Sequence, residues 1–152
     1  MKDRILVCIT LAVIALFAFS SCEENENETK ISSYHSTKSH HAGQNCMSCH
    51  QSGGSGEGWF TVAGTVYDST KTTPFPNATV VFFTGPLGTG NLVLEIEVDG
   101  LGNFYTTESI DFGNGSYVLV TGHQETKHMN SKISTGQCNS CHGASTDRIW
   151  VK

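Results

Sequence analysis

Basic residues are scarce in this chain of 152 residues, with nine Lys and Arg against 14 Asp and Glu, and they form no cluster. Because affinity for nucleic acid comes mainly from basic residues that neutralise phosphates, we expect no nucleic-acid partner.

Long hydrophobic runs are scarce as well. The run near the N-terminus, residues 5–19, is shorter than the roughly 20 residues that span a bilayer, and no basic stop sequence follows it. This run therefore does not predict a transmembrane helix.

The N-terminal residues have the order of a secretory signal peptide, which we assign to residues 1–21. Two basic residues precede the apolar run, and Ser20-Ser21-Cys22 follow it directly. Small residues before a lone cysteine resemble a bacterial lipobox, in which the cysteine is acylated and becomes the first residue. The resemblance implies a lipoprotein of the bacterial cell envelope, anchored to the outer membrane through Cys22; a soluble secreted form is the alternative. Residues 22–36 begin with acidic and amide side chains and are expected to form a disordered tether.

The remaining cysteines fall into two segments of identical spacing. Of six cysteines, Cys8 leaves with the signal peptide and Cys22 takes the lipid, so four remain. An exported protein would normally use four cysteines as two disulfides. Here they lie in Cys46-Met47-Ser48-Cys49-His50 and Cys138-Asn139-Ser140-Cys141-His142, each pair followed by a histidine.

Both segments fit the CxxCH pattern of covalent haem attachment. We predict two covalently bound haem c groups, one attached through Cys46 and Cys49 and the other through Cys138 and Cys141. His50 and His142 are the expected proximal iron ligands. A zinc site is one alternative, although it leaves both histidines unexplained. A redox dithiol is another, although it expects a strand-to-helix junction that the polar, glycine-containing flanks do not predict. Only short helical turns are expected around the motifs.

The two motifs and their flanks, Gly43-Gln44-Asn45 and Gly136-Gln137, resemble those of multihaem c-type cytochromes, specifically small exported dihaem members. The resemblance covers a small part of the chain and implies the cofactor and its ligation. By resemblance, His41 is the first choice for one distal iron ligand and His40 the second. For the other iron we favour Met129 narrowly over His128, by analogy with cytochromes that place a methionine near the motif.

Other roles remain open for these distal candidates. The histidines can simply be exposed, and the methionine can fill a gap in packing. The choice matters because a methionine ligand gives a higher potential than a second histidine. Near the motifs, Trp59 is expected in the buried core and Trp150 at a haem edge. Arg148 is placed either beside a haem propionate or on the surface.

Residues 59–122 contain no cysteine and show the periodicity of β-strands. Apolar residues alternate with polar ones over residues 61–66 and 92–98, an apolar run covers residues 79–83, and Gly, Pro and Asn turns lie between them. We expect an antiparallel sandwich with about five clear strands. The order of Gly64-Thr65-Val66-Tyr67-Asp68, a later Pro-Asn turn and an Asp-Gly turn resembles carboxypeptidase regulatory-like, prealbumin-type domains, which implies the same fold.

These interpretations divide the mature chain into the tether, a first haem-binding segment (37–58), a β-sandwich (59–122) and a second haem-binding segment (123–152). The leading functional hypothesis is a non-enzymatic electron carrier that exchanges electrons with exported redox proteins. A dihaem enzyme, such as a peroxidase or small-molecule reductase with one open iron, is the first alternative. A haem-based sensor or adhesion module is the second. Whether the two haem segments lie at the same end of the sandwich is not predicted.

Overall fold

The structure, a computed structural model, describes residues 27–152. The predicted signal peptide, the lipid attachment site at Cys22 and residues 23–26 of the tether lie outside the described residues. Eight strands follow one another within the described residues: β1 (Val62–Tyr67), β2 (Thr79–Phe83), β3 (Leu92–Glu97), β4 (Asn103–Thr106), β5 (Tyr117–Thr121), β6 (Thr126–His128), β7 (Gly136–Gln137) and β8 (Ile149–Trp150). The described residues contain no helix long and apolar enough to cross a bilayer.

The strands form two sheets, so the predicted mainly-β sandwich is confirmed. One sheet has the order β3-β2-β5-β6 and is antiparallel throughout. In the other, β4 pairs antiparallel with one edge of β1. Strands β1, β2 and β3 match the three segments whose residue pattern predicted strands, 61–66, 79–83 and 92–98. The apolar side chains of both sheets form one core, which includes Val62, Val66, Val80, Phe82, Ile96, Val98, Phe104, Val120 and Val151.

The second edge of β1 is shared by two short strands. β7 pairs in parallel with Val62 and Ala63, and β8 pairs in parallel with Val66 and Tyr67. The residues between β7 and β8, 138–148, therefore leave the sheet as a loop and return to the same edge. These two parallel pairings are the exception to the antiparallel arrangement expected from the sequence. The second CxxCH motif lies at the start of this loop.

β1 differs from a half-buried strand because all six of its residues are buried. Alternation had placed Ala63 and Thr65 on an outer, more polar face, yet they are 3% and 0% exposed. Both turns that contain the CxxCH motifs contact this strand. The outer face of β1 is covered by the segments that carry the two CxxCH motifs instead of solvent.

The boundaries expected from composition need two corrections. Within the predicted tether, the backbone of residues 30–32 runs along the free edge of β4 and exchanges hydrogen bonds with Tyr105 and Thr107. The sandwich also extends beyond residue 122, since β6, β7 and β8 all belong to the predicted second haem-binding segment. Composition did not indicate these pairings because unpaired sheet edges accept polar segments through backbone hydrogen bonds alone.

The two tryptophans differ in their surroundings and in how far they are exposed to solvent. Trp59 is 39% exposed, so its expected place in the buried core is wrong. It precedes β1, and its backbone exchanges hydrogen bonds with the Asn27 side chain. Trp150 is half-buried in β8, with the Lys127 ammonium 3.4 Å from its ring centroid.

Candidate functional site

The two CxxCH motifs adopt the same local structure. Each forms a single 3₁₀ turn, Cys46–Ser48 in the first motif and Cys138–Ser140 in the second. In each, the backbone N–H of the histidine donates to the carbonyl of the first cysteine, at 3.0 and 2.9 Å. The expectation of short helical turns is confirmed. The turn brings both cysteines and the histidine of a motif into one compact group.

The serine inside each motif stabilises its turn. Ser48 Oγ donates to the carbonyl of Asn45 at 2.7 Å, and Ser140 Oγ donates to that of Gln137 at 2.6 Å. A side-chain hydroxyl thereby satisfies a carbonyl at the start of each turn. Two segments almost a hundred residues apart have thus reached the same conformation through the same contacts.

Each motif histidine is held in one tautomer. His50 Nδ1 lies 2.9 Å from the carbonyl oxygen of Glu57, and His142 Nδ1 lies 2.7 Å from that of Asp147. A carbonyl only accepts hydrogen bonds, so Nδ1 carries the proton in both rings. Nε2 then keeps its lone pair, which is the form of imidazole that binds a metal. Both rings are therefore prepared as ligands through Nε2.

Aromatic packing and a glycine fix the His50 ring. It stacks on Phe60 at 4.2 Å between centroids and 10° between planes, and Phe60 stacks in turn on Tyr105. On another side, a Cβ at Gly56 would lie 2.7 Å from the ring. Only glycine allows the chain to pass this close to the imidazole. Glu57, which holds Nδ1, is the next residue along.

The second motif lines a cavity with a volume of about 550 Å³. The cavity opens between β5–β6 and the loop from β7 to β8, and its floor reaches the sandwich core at Val80 and Phe104. Its lining includes both cysteines and the histidine of the motif as well as apolar side chains of β5 and β8. This size lies within the range of cofactor pockets, roughly 300–1,000 Å³.

The predicted distal ligands divide between the two motifs. His128 and Met129 both line the cavity with His142. At the first motif, the ring of His40 lies 5.8 Å from that of His50, and His41 packs edge-on against His40 at 4.9 Å. The geometry therefore favours His40 over His41, which resemblance had ranked first.

Two basic side chains and an aromatic ring line the outer end of the cavity, beside the acidic Asp147. Lys127, Arg148 and Trp150 belong to its lining. Arg148 donates to the Lys71 carbonyl at 2.9 Å and lies over the Tyr67 ring. It is exposed, and the arrangement leaves part of its guanidinium available to an anionic group in the cavity.

A buried hydrogen-bond network joins the two motifs. Asn139 Nδ2 donates to the carbonyl of Gln44, two residues before Cys46, at 2.9 Å. The same group donates to Thr65 Oγ1 at 3.0 Å, and the Thr65 backbone N–H donates to Asn139 Oδ1 at 3.1 Å. Thr65 Oγ1 then donates to Asn103. The two motifs therefore meet across the outer face of β1.

Spacing and composition did not indicate several of these functional residues. Asn139 and Met47 stand at the same position of the two motifs, but the CxxCH pattern leaves this position free. No sequence motif includes Gly56, Phe60 or Thr65. Their roles depend on contacts between residues far apart in the chain.

The four thiols of the motifs are not disulfide-bonded. Burial raises the pKa of Cys138 to about 12, and the neighbouring thiol of Cys46 contributes in the same direction. Burial also raises the pKa of Cys46. Cys49 and Cys141 are exposed. Each motif thus has one inner and one outer cysteine.

The zinc alternative needs several ligands converging on one point. Among residues 27–152, no three His, Cys, Asp or Glu side chains are grouped so as to hold a metal ion. The four cysteines are therefore not arranged as a tetrahedral zinc site. A haem iron needs only two axial protein ligands, so this finding does not bear on haem.

Fold and site together define a mainly-β sandwich with two similar CxxCH turns on the outer face of one strand. Comparisons with protein-family models, curated proteins and solved structures find no match to the chain.

Proposed function

We propose that this protein is an electron carrier that holds two covalently attached haem c groups. One is attached through Cys46 and Cys49 with His50 as proximal ligand, the other through Cys138 and Cys141 with His142. The observation that carries the proposal is the shared geometry of the two motifs, in which a backbone carbonyl holds Nδ1 of each histidine and leaves Nε2 free. A histidine with only a structural role would not require the same Nδ1 hydrogen bond and the same free Nε2 in both motifs.

The residues around the second motif fit such a group. The cavity beside it combines a mostly apolar lining with a few polar groups, as cofactor sites do. Val118, Ile149 and Trp150 would exclude water from a ring system, and Arg148 would pair with a carboxylate at the outer end. When bound, haem supplies reversible one-electron exchange at its iron, while the protein sets the ligands and solvent access.

The first motif is open to solvent on its outer side. Cys49 is exposed and His50 is half-buried against Phe60. Exposure of this site favours electron exchange with a partner, for which we propose exported redox proteins as donor and acceptor.

The distal candidates support a carrier over an enzyme. His40 lies beside the first motif, and Met129 and His128 lie in the cavity of the second. Two protein ligands per iron leave no open coordination position for a substrate. An electron carrier needs no such position, whereas a peroxidase or small-molecule reductase does.

The test is production of the full chain, with its own leader, in a bacterium that attaches haem to CxxCH motifs. We expect an intact mass that includes two haems, and a redox titration with two one-electron steps. C46A/C49A and C138A/C141A should each lose one haem, whereas the controls S52A and S131A, at exposed serines outside the motifs, should keep both. A colourless protein, or one that holds zinc between its thiols, would refute the proposal. A high-spin spectrum from wild type would favour the dihaem enzyme instead.

A further inference from the structure

One residue belongs to the second motif and at the same time holds the first. Asn139 lies between the two cysteines of its own motif and is 6% exposed. Its amide reaches β1 at Thr65 and the segment before the first motif at Gln44. No other residue within either motif makes a hydrogen bond to the other motif's flank in the described chain.

The orientation of this amide is determined by its partners. The Thr65 backbone N–H only donates, so the atom that faces it is the carbonyl oxygen Oδ1. The Gln44 carbonyl only accepts, so the atom that faces it is Nδ2. The second proton of Nδ2 goes to Thr65 Oγ1. The amide thus uses all of its donors.

The contacts of Thr65 extend this connection to the His40 segment. Thr65 Oγ1 accepts from the backbone N–H of Gly43 at 2.8 Å and donates to Asn103 Oδ1 at 2.7 Å. Asn103 Nδ2 donates to Ser39 Oγ at 2.9 Å. Thr65 and Asn103 are 0% and 3% exposed. Because a buried polar group without a partner costs about 1–3 kcal/mol, these groups resist separation.

We infer that Asn139 is a positioning residue that holds the two haem sites at a fixed short separation, so that electrons pass between them. The inference rests on the proposed function, and it adds that the two sites act as a coupled pair. Asn139 contacts backbone within two residues of the attachment cysteine on the first side and is itself adjacent to Cys138 on the second. A change in this contact would move one attachment point relative to the other.

The first motif provides a matched control. Met47 occupies the position that corresponds to Asn139, and it is only half-buried. N139L keeps a similar volume but removes the amide, and M47L changes the same position in the other motif without affecting the network. The measurement is the magnetic coupling between the two ferric haems by electron paramagnetic resonance, which depends on their separation. The optical spectrum and haem mass of each variant report separately on attachment and ligation.

We expect wild type and M47L to show magnetic coupling, and N139L to lose it while keeping two haems and an unchanged optical spectrum. Equal coupling in N139L and wild type, or loss in M47L as well, would overturn the inference. Absence of coupling in wild type would overturn it too, while two attached haems would leave the proposed function standing.

A second variant covers the case in which N139L does not accumulate. N139D has the same shape and keeps an acceptor for the Thr65 N–H, but above the pKa of the new carboxyl it cannot donate to Gln44. We expect N139D to lose the magnetic coupling at high pH and to recover it when acid returns a proton to the carboxyl. A pH-independent coupling equal to that of wild type would contradict the inference, as would failure of both variants to carry two haems.

Discussion

In each motif histidine, a hydrogen bond at Nδ1 determines which ring nitrogen is free to bind a metal. A free neutral imidazole exchanges between two tautomers, and only the one protonated at Nδ1 offers Nε2 to a metal. The carbonyls of Glu57 and Asp147 select this tautomer for His50 and His142. Similar hydrogen bonds orient metal-binding histidines generally and raise their basicity. The acceptors are the backbone carbonyls of Glu57 and Asp147, so the side chains of these two residues are not needed and neither residue belongs to a motif.

The choice of distal ligand at the first motif is testable by two neighbouring substitutions. We expect H40A to open one iron, because the His40 ring lies beside that of His50. The ferric spectrum of one haem should become high-spin, and the reduced protein should bind carbon monoxide. H41A should leave both haems low-spin. The opposite pattern would assign the ligand to His41, as resemblance to multihaem cytochromes had suggested.

The thiols of the haem-free chain should differ in reactivity. At pH 8, a pKa of about 12 leaves about 10⁻⁴ of Cys138 as the reactive thiolate. We expect iodoacetamide to modify the exposed Cys49 and Cys141 first and Cys138 last, with the Cys138 rate rising as the pH is raised further. Peptide mass spectrometry of the labelled protein measures this order. Equal labelling of all four cysteines would show that the pKa of Cys138 is not raised.

At the scale of elements, the decisive arrangement is the shared edge of β1. β7 and β8 pair with successive parts of this edge, and the loop between them carries the second motif. A glycine in β1 makes room for the start of the loop, since a Cβ at Gly64 would lie 2.9 Å from that of Cys138. Two short strands thereby hold both ends of a loop that has little regular structure of its own.

The residue after β8 should stabilise this loop. Val151 is 0% exposed, belongs to the core and donates its backbone N–H to Tyr67. We expect V151A to lower the free energy of unfolding by about 2 kcal/mol, because it removes buried methyl groups and leaves a cavity. K152A, at an exposed neighbour, serves as the control. Urea unfolding measures both, and equal midpoints would show that the C-terminal strand is not part of the cooperative core.

At the scale of the whole molecule, the sandwich begins very close to the predicted lipid attachment site. Cys22 precedes Asn27 by five residues, a span of at most about 17 Å, and Asn27 already contacts Trp59. A lipid on Cys22 would therefore hold the two CxxCH motifs near the membrane surface. The long tether expected for residues 22–36 is not needed for this arrangement.

Membrane association is expected to depend on Cys22. In the full chain, C22S should move the protein from the membrane fraction to the soluble periplasmic fraction, because acyl chains provide the anchoring energy, about 0.8 kcal/mol per buried CH₂. Fractionation with a haem stain follows the protein, and S21A serves as a control that keeps the cysteine. Membrane retention of C22S would favour a different anchor.

Local patterns in the sequence predicted strands β1, β2 and β3, the short turns at both motifs and the candidate iron ligands. These features depend on neighbouring residues, through alternation, turn chemistry and the spacing of two cysteines. Only the tertiary structure decided that both motifs cover one strand, that Asn139 joins them, and that the ring of His40 lies beside that of His50. The physical reason is that a sheet edge or a buried amide forms hydrogen bonds with whichever polar groups the fold brings next to it. Because every residue type has a backbone that can form such bonds, the amino-acid composition does not indicate which segments will pair.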